Sequence, residues 1–348
     1  MTGISGSTSF NAKHRRQWGI GDPLFESTYL SIEESVPCSF FDWGLSFLND
    51  KEGSAGFKTT EFAASISGVI PFGNQSQIHN IRVGLSPRFT RKSIDLSLLT
   101  FSDQLDPKYG LVDQSGNLNP TSFVSPNDGR SSAFFSPAVG ISMISTWRAD
   151  THRPITTSLG AAIYHVLALG DDFGGIESVL QLDRGAEVPA RITAFFEAEF
   201  VALSGPTYFG TISPWLFYHK QSDLDYIELG TAFAYNRDLE LGLYYHWTPS
   251  NDNLQSTNFY TVSADIAIVK TKDHRMDLGL SYSNSVTGLR NLFSDAFEVS
   301  FTYHFSKSYT CGALGLDGNS AVPSVSCPGA KFANMKRYED LWYGPQRN

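Results

Sequence analysis

The chain has 348 residues, 41% hydrophobic, 18% charged and 14% aromatic, with a formal net charge of -9. That balance excludes a nucleic-acid partner, whose phosphates demand a basic face. No stretch approaches the roughly 18 apolar residues that a membrane-spanning helix needs.

The opening Met1-Thr2-Gly3-Ile4-Ser5 lacks the charged start and apolar core of a secretory signal. From there to Phe305, alternation and turn signals mark about 14 strands. Their centres fall near Ala12, Thr28, Leu45, Ala64, Gly84, Gly140, Gly160, Phe196, Ile212, Gly230, Leu243, Ala264, Leu280 and Val299. The even count suits a single-chain transmembrane barrel. With the N-terminus periplasmic, the two longest connections, near Arg91 to Ala133 and Leu169 to Val188, become the third and fourth surface loops. Short turns at Ser204-Gly205, Asn236-Arg237 and Lys272-Asp273 fall on the periplasmic side. Proline cannot donate to a ladder, so Ser86-Pro87, Ser136-Pro137 and Ser213-Pro214 should mark bulges, strand starts or unpaired stretches.

The clearest alternation runs from Asp238 to Phe305. Leu239, Leu241, Leu243, Tyr245 and Trp247 alternate with Glu240, Gly242, Tyr244, His246 and Thr248, and three further strands repeat the pattern. One face suits lipid, with aromatic residues near the strand ends as interfacial girdles, and the other tolerates water. Ile227, Leu229, Phe233, Leu241, Leu243, Val262, Ile266, Leu278, Leu280, Val299 and Phe301 fall on the lipid face. On this parity Leu243→Arg should be costly and Gly242→Ser nearly neutral. Glu228, Asp265, Asp277 and Glu298 fall on the opposite face, with Phe195, Trp215 and Phe217 partly occluding the interior. A soluble two-sheet sandwich also alternates; the long run of similar hairpins favours the barrel.

After Phe305 comes a tail rich in Gly, Ser and Pro, ending in an amphipathic segment from Phe332 to Trp342. Of three cysteines, Cys311 and Cys327 flank this stretch and are expected to form a disulfide, while Cys38 is left over and could compete. The expected organisation is therefore all-β: a transmembrane antiparallel β-barrel at residues 1–305 and a periplasmic tail at 306–348.

Catalytic signatures such as HExxH, GxSxG, a P-loop or a strand-borne GxGxxG are missing from the sequence, so no enzyme and no cofactor is expected. Histidines stand singly along strands. Asp103, Asp106 and Asp113 invite a calcium reading, but the EF-hand spacing is absent, and no metal site is expected. The exposed apolar residues Phe101, Leu105, Tyr109, Leu111 and Phe123 of the third surface loop are candidate partner-binding anchors.

Several segments resemble the PorP/SprF membrane proteins of the type IX secretion system of Bacteroidota. They are Thr2-Gly3-Ile4 through Phe10 to Arg15-Arg16-Gln17-Trp18, then Asn49-Asp50-Lys51-Glu52-Gly53 with Lys58-Thr59-Thr60 as a second surface loop. The most specific is Lys92-Ser93-Ile94-Asp95 through Leu99-Thr100-Phe101-Ser102-Asp103-Gln104 to Asp106-Pro107; Phe297 to Phe305 closes the barrel. The family's signal and the Asn-Pro residues just before Thr2 are absent here, which fits a truncated start. The resemblance implies an outer-membrane barrel that binds the C-terminal signal region of a secreted protein or gliding adhesin and aids export or cell-surface attachment. It implies further secretion or motility partners in the periplasm. A diffusion porin or solute channel is the alternative.

Overall fold

The computed structural model describes residues 8–17, 25–36, 39–53, 56–73, 76–122, 134–148, 153–169, 189–205, 208–249, 258–271, 274–286, 295–305 and 308–313. The strands are β1 (Thr8–Gln17), β2 (Phe25–Ser35), β3 (Phe41–Glu52), β4 (Phe57–Gly73), β5 (Gln77–Ser86), β6 (Arg88–Ser93), β7 (Phe134–Phe135) and β8 (Ala138–Trp147). They continue as β9 (Ile155–Tyr164), β10 (Arg191–Ser204), β11 (Phe209–Gln221), β12 (Leu224–Tyr235), β13 (Leu239–Trp247), β14 (Asn258–Lys270), β15 (His274–Ser285) and β16 (Asp295–Phe305). A short helix, α1 (Tyr309–Ala313), follows.

Every pairing is antiparallel, and the sheet closes because β1 pairs with β16 as well as with β2, and β3 with β4. A closed ring leaves no free edge, so the ladders satisfy the wall's backbone groups internally except where proline or a bulge interrupts them. Two strands are interrupted at proline. β5 and β6 flank Pro87 and lie along the same edge of β4, and β7 and β8 flank Pro137. Counted as continuous staves, the segments make a closed barrel of 14 strands. At Pro87 the break is spanned by Ala64 N–H donating to Pro87 C=O, and beside it Ser136 N–H donates to Arg88 C=O. Pro214 sits inside β11, where the pairing to β10 skips from Glu197↔Trp215 to Phe200↔Ile212. All three prolines thus lie at interruptions, as the missing N–H requires.

One end of the barrel carries the starts and ends of the whole wall, Thr8 and Phe305, and the short turns; we call it the turn end. The other, the loop end, carries the connections 94–133 and 165–190. The alternation of long and short is not strict. At the loop end residues 53–56 and 222–223 are as short as turns, because β3 and β4 pair right up to Glu52↔Phe57 and β11 and β12 up to Gln221↔Leu224. Asn49 to Glu52 and Lys58 to Thr60, expected in a surface loop, are therefore strand residues. At the turn end Asn236 and Arg237 take positive φ of 52 and 56, and the Asn236 side chain accepts from Phe209 N–H at 2.7 Å. Asn tolerates that conformation well.

Register puts the expected lipid-facing residues on one surface. Leu229 opposes Tyr245, Phe233 opposes Leu241, Leu243 opposes Val262, Ile266 opposes Leu278, and Leu280 opposes Val299. Leu243, Ile268 and Leu229 remain more than half exposed on the isolated chain, the behaviour of a wall that lipid covers.

Candidate functional site

Register also fixes what faces the lumen, and the two halves of the inner wall differ. On β10 to β14 the inward positions hold Phe195, Trp215, Phe217, Tyr226, His246 and Phe259. Their rings touch in sequence: Phe195 to Trp215 at 5.8 Å, Trp215 to Phe217 at 6.3 Å, Phe217 to Tyr226 at 6.2 Å, Tyr226 to His246 at 5.7 Å and His246 to Phe259 at 4.1 Å. The expected inward direction of Phe195, Trp215 and Phe217 holds. Glu228 anchors this half, accepting from Trp215 Nε1 at 2.7 Å and Tyr226 OH at 3.1 Å, with His246 Nδ1 at 3.1 Å. His246 Nε2 meets Thr261 Oγ1 at 2.8 Å, and that hydroxyl meets Ser283 at 2.7 Å. A carboxylate inside such a network keeps its charge hydrogen-bonded rather than bare.

On β3 to β9 small inward residues, Gly44, Ser46, Ser65, Gly84, Gly140 and Ala162, line a cavity of about 160 Å³, and on the same face Arg82 is buried against Asp42 at 2.9 Å. Gly160 completes the division, since a Cβ there would come within 2.6 Å of a Phe195 ring carbon. Similar crowding overturns the expectation that Gly242→Ser is nearly neutral. Tyr244 lies across both Gly242 and Gly230. A Cβ at Gly242 would meet Ser263 Oγ at 2.5 Å and Tyr244 Cε2 at 2.6 Å, and one at Gly230 would meet the Leu243 carbonyl oxygen at 2.9 Å. Parity alone locates a residue on the water side, but it cannot report a neighbour folded over it.

At the loop end the cavity is bounded by Arg88 and Tyr164. The Arg191 guanidinium stacks 4.0 Å from the Tyr164 ring and that of Arg88 lies 5.0 Å from it. Arg88 pairs with Glu61, which also accepts from Thr90 Oγ1 at 3.3 Å. His165, just beyond the strand with φ 55, meets Ser136 Oγ through Nδ1 at 2.7 Å. Burial first, then Arg191 and Arg88, hold its pKa down to about 4, so the imidazole is neutral at physiological pH.

Above the mouth, the described part of the third connection is internally hydrogen-bonded. Gln104 and Asn119 bond each other's backbone reciprocally at 3.0 and 2.9 Å. Asp103 accepts from Thr121 Oγ1 and from both N–H and Oγ of Ser122. Asp106 caps Lys108 and Tyr109 N–H, and Asp113 caps Ser115 and Asn117 N–H. The aspartates that suggested calcium thus close turns, and among the described residues no cluster of metal-binding side chains occurs. Leu105, Tyr109 and Leu111 are exposed, Phe101 is half-buried, and Phe123 lies outside the described residues. Sequence reasoning missed Leu98 and Leu118, which at 60% and 76% are more exposed than Leu105, Tyr109 and Leu111. Leu118 is a leucine within a polar segment, the same signal that marked Leu105, whereas Leu98 lies in the leucine-rich run from Leu96 to Leu99 and carries no such signal.

These features belong to a recognisable family. The family model described as type IX secretion system membrane protein PorP/SprF matches residues 1–303. The chain belongs to the PorP/SprF family. No curated protein matches the sequence. Solved structures similar to this PorP/SprF protein include the CymD monoaromatic hydrocarbon channel, at 9% identity and TM-score 0.40 over 86% of this chain and 87% of that one. The P. putida toluene transporter TodX aligns at 10% and 0.40 over 86% and 89%. The KdgM porin in complex with disordered oligogalacturonate aligns at 11% and 0.36 over 85% and 99%.

At the turn end the PorP/SprF chain turns back after β16. Glu34, fully buried, accepts from Ser308 Oγ, Thr310 N–H at 3.1 Å and Thr310 Oγ1 at 2.7 Å. Trp43 Nε1 donates to the same threonine hydroxyl at 2.9 Å. Cys311 is disulfide-bonded and fully buried against Val36, Phe41 and Trp43. Cys327 and Cys38 both lie outside the described residues.

Proposed function

We propose that this outer-membrane barrel is the partner of a type IX secreted protein or gliding adhesin. It receives that protein's C-terminal region at the loop end, which faces the cell exterior, and holds it at the surface. The turn end and the segment after β16 then face the periplasm, where secretion or motility components meet it. The family supports the system. The observation that carries the docking face is the exposed set Leu98, Leu105, Tyr109, Leu111 and Leu118 on a connection fixed by its own Asx turns. Apolar anchors on a pre-ordered loop lose little freedom on binding, and such anchors dominate interface energetics.

Replacing Leu98, Leu105 and Leu118 together with Ser leaves the turn-closing aspartates untouched. The variant barrel, still heat-modifiable on a gel, should lose its secreted partner in pull-downs from detergent extracts. A folded variant that recovers every partner would place the docking site elsewhere. The cavity against the small-residue wall favours one alternative, a narrow solute path. Planar-bilayer recording separates the two: steady conductance supports the channel and silence the docking role.

A further inference from the structure

We propose that Arg191, at the loop-end mouth of the lumen, binds a carboxylate group carried by the polypeptide that the barrel receives, either a chain terminus or an acidic side chain. This rests on the receiving role just described and names the chemistry that would hold the incoming chain.

Among the described residues the charged and titratable groups at the mouth are Glu61, Arg88, Lys92, Tyr164, His165, Arg191 and His219. Glu61 is taken by Arg88. Lys92 interacts with Glu52 and lies 6.0 Å from the Phe134 ring. His165 is neutral. Arg191 remains: its guanidinium hydrogen-bonds the Tyr164 side chain and feels the charge of Glu61, but among the described residues no carboxylate lies within ion-pair distance of it, its Nε is enclosed without a hydrogen-bond partner, and it shares the Tyr164 ring with the Arg88 guanidinium. A tyrosine face attracts each stacked cation, whereas two like charges over one ring repel. A single negative charge completes the cluster. That count selects a monoanion over a dianionic phosphate, and the planar fork of a guanidinium matches a carboxylate in two-point geometry. Tyr164 holds one face of the Arg191 fork, so the geometry is set before the ligand arrives. Arg88 and Tyr164 also line the lumenal cavity, whose Ser46 and Ser65 hydroxyls can meet a backbone that follows the carboxylate inward.

The test is calorimetric titration of the full chain in detergent at low ionic strength. The probes are triglycine, triglycine amide, N-acetyl-aspartate methylamide, glucuronate and inorganic phosphate. The two peptide carboxylates should bind, with the amide at least tenfold weaker, and the better of the two identifies terminus or side chain. Arg191→Gln should weaken binding about tenfold. Glu61→Gln, which frees Arg88, should strengthen it, so a pair of opposite effects is read in two variants that each retain heat-modifiable migration. Binding of the amide equal to that of the acid, indifference to Arg191→Gln, or preference for phosphate or glucuronate would overturn the assignment. The two readings fail separately. A barrel that binds triglycine yet captures no secreted protein refutes the receiving role, and one that captures its protein with unchanged affinity after Arg191→Gln refutes the carboxylate site alone.

Discussion

Leu243→Arg tests which side of the wall meets lipid. Leu243 stands at the centre of β13 between Thr231 and Val262, and it is 56% exposed on the isolated chain, so nothing in the protein shields a cation placed there. At the bilayer midplane a guanidinium costs about 2–4 kcal/mol, which lowers the folded population relative to wild type by about 30- to 900-fold at about 1.36 kcal/mol per factor of ten. Ser281→Arg is the matched control. Ser281 faces the lumen opposite Glu298 on β16, with Asp265 also inward on β14, and a cation there meets carboxylates and water. Its effect should stay within about 0.5 kcal/mol. Folding into lipid vesicles across a urea series, read by heat-modifiable migration, measures both midpoints. Equal shifts at the two positions would mean that the parity is wrong.

Gly230→Ala should destabilise by about 1–3 kcal/mol and more than Gly242→Ser, because the backbone carbonyl of Leu243 cannot swing away as the Ser263 hydroxyl can; the same urea series ranks them, and the reverse order refutes the contact. Hydrogen bonds from Ser122 hold the Asp103 carboxyl below the usual range, and the Asn117 N–H does the same first for Asp113. A depressed folded pKa contributes stability above the ordinary aspartate range, lost as pH falls through the lowered value. The Ser122 amide resonance should therefore hold steady down to about pH 4 and move only below it; movement beginning near neutrality contradicts the cap. Finally, Cys311 packs beside Val36 and Phe41, either side of Cys38 in the sequence, and Ser39 N–H donates to Val36 C=O in that turn. Non-reducing peptide mapping is expected to give Cys38 linked to Cys311 and a free Cys327, and a Cys311–Cys327 peptide would restore the pairing expected from sequence spacing.

The wall was legible because its signal is local. A period of two needs only neighbours in sequence, and all fourteen expected strand centres fall inside observed strands, from Ala12 in β1 to Val299 in β16. Loop-end lengths were less legible because β3 and β4 extend their pairing through polar residues such as Asn49 and Lys58, which carry no hydrophobic alternation. The mouth was invisible. Arg88, Tyr164 and Arg191 are far apart in the chain and meet only because pairing and stagger bring three strands to one level. The burial of Glu34 was equally hidden, since its partners Ser308 and Thr310 lie at the other end of the sequence.

The seam between β1 and β16 joins ten residues of the first strand to the last, from Thr8↔Phe305 to Gln17↔Ala296. The ring is therefore closed by its first and last staves, and the Glu34 contacts with Ser308 and Thr310 tie the second stave to the residues just beyond the last one. Thr8 and Phe305 emerge at the same rim. At the opposite rim, the described part of the third connection closes its Asx turns with partners inside its own sequence, so its shape does not depend on which staves are already paired.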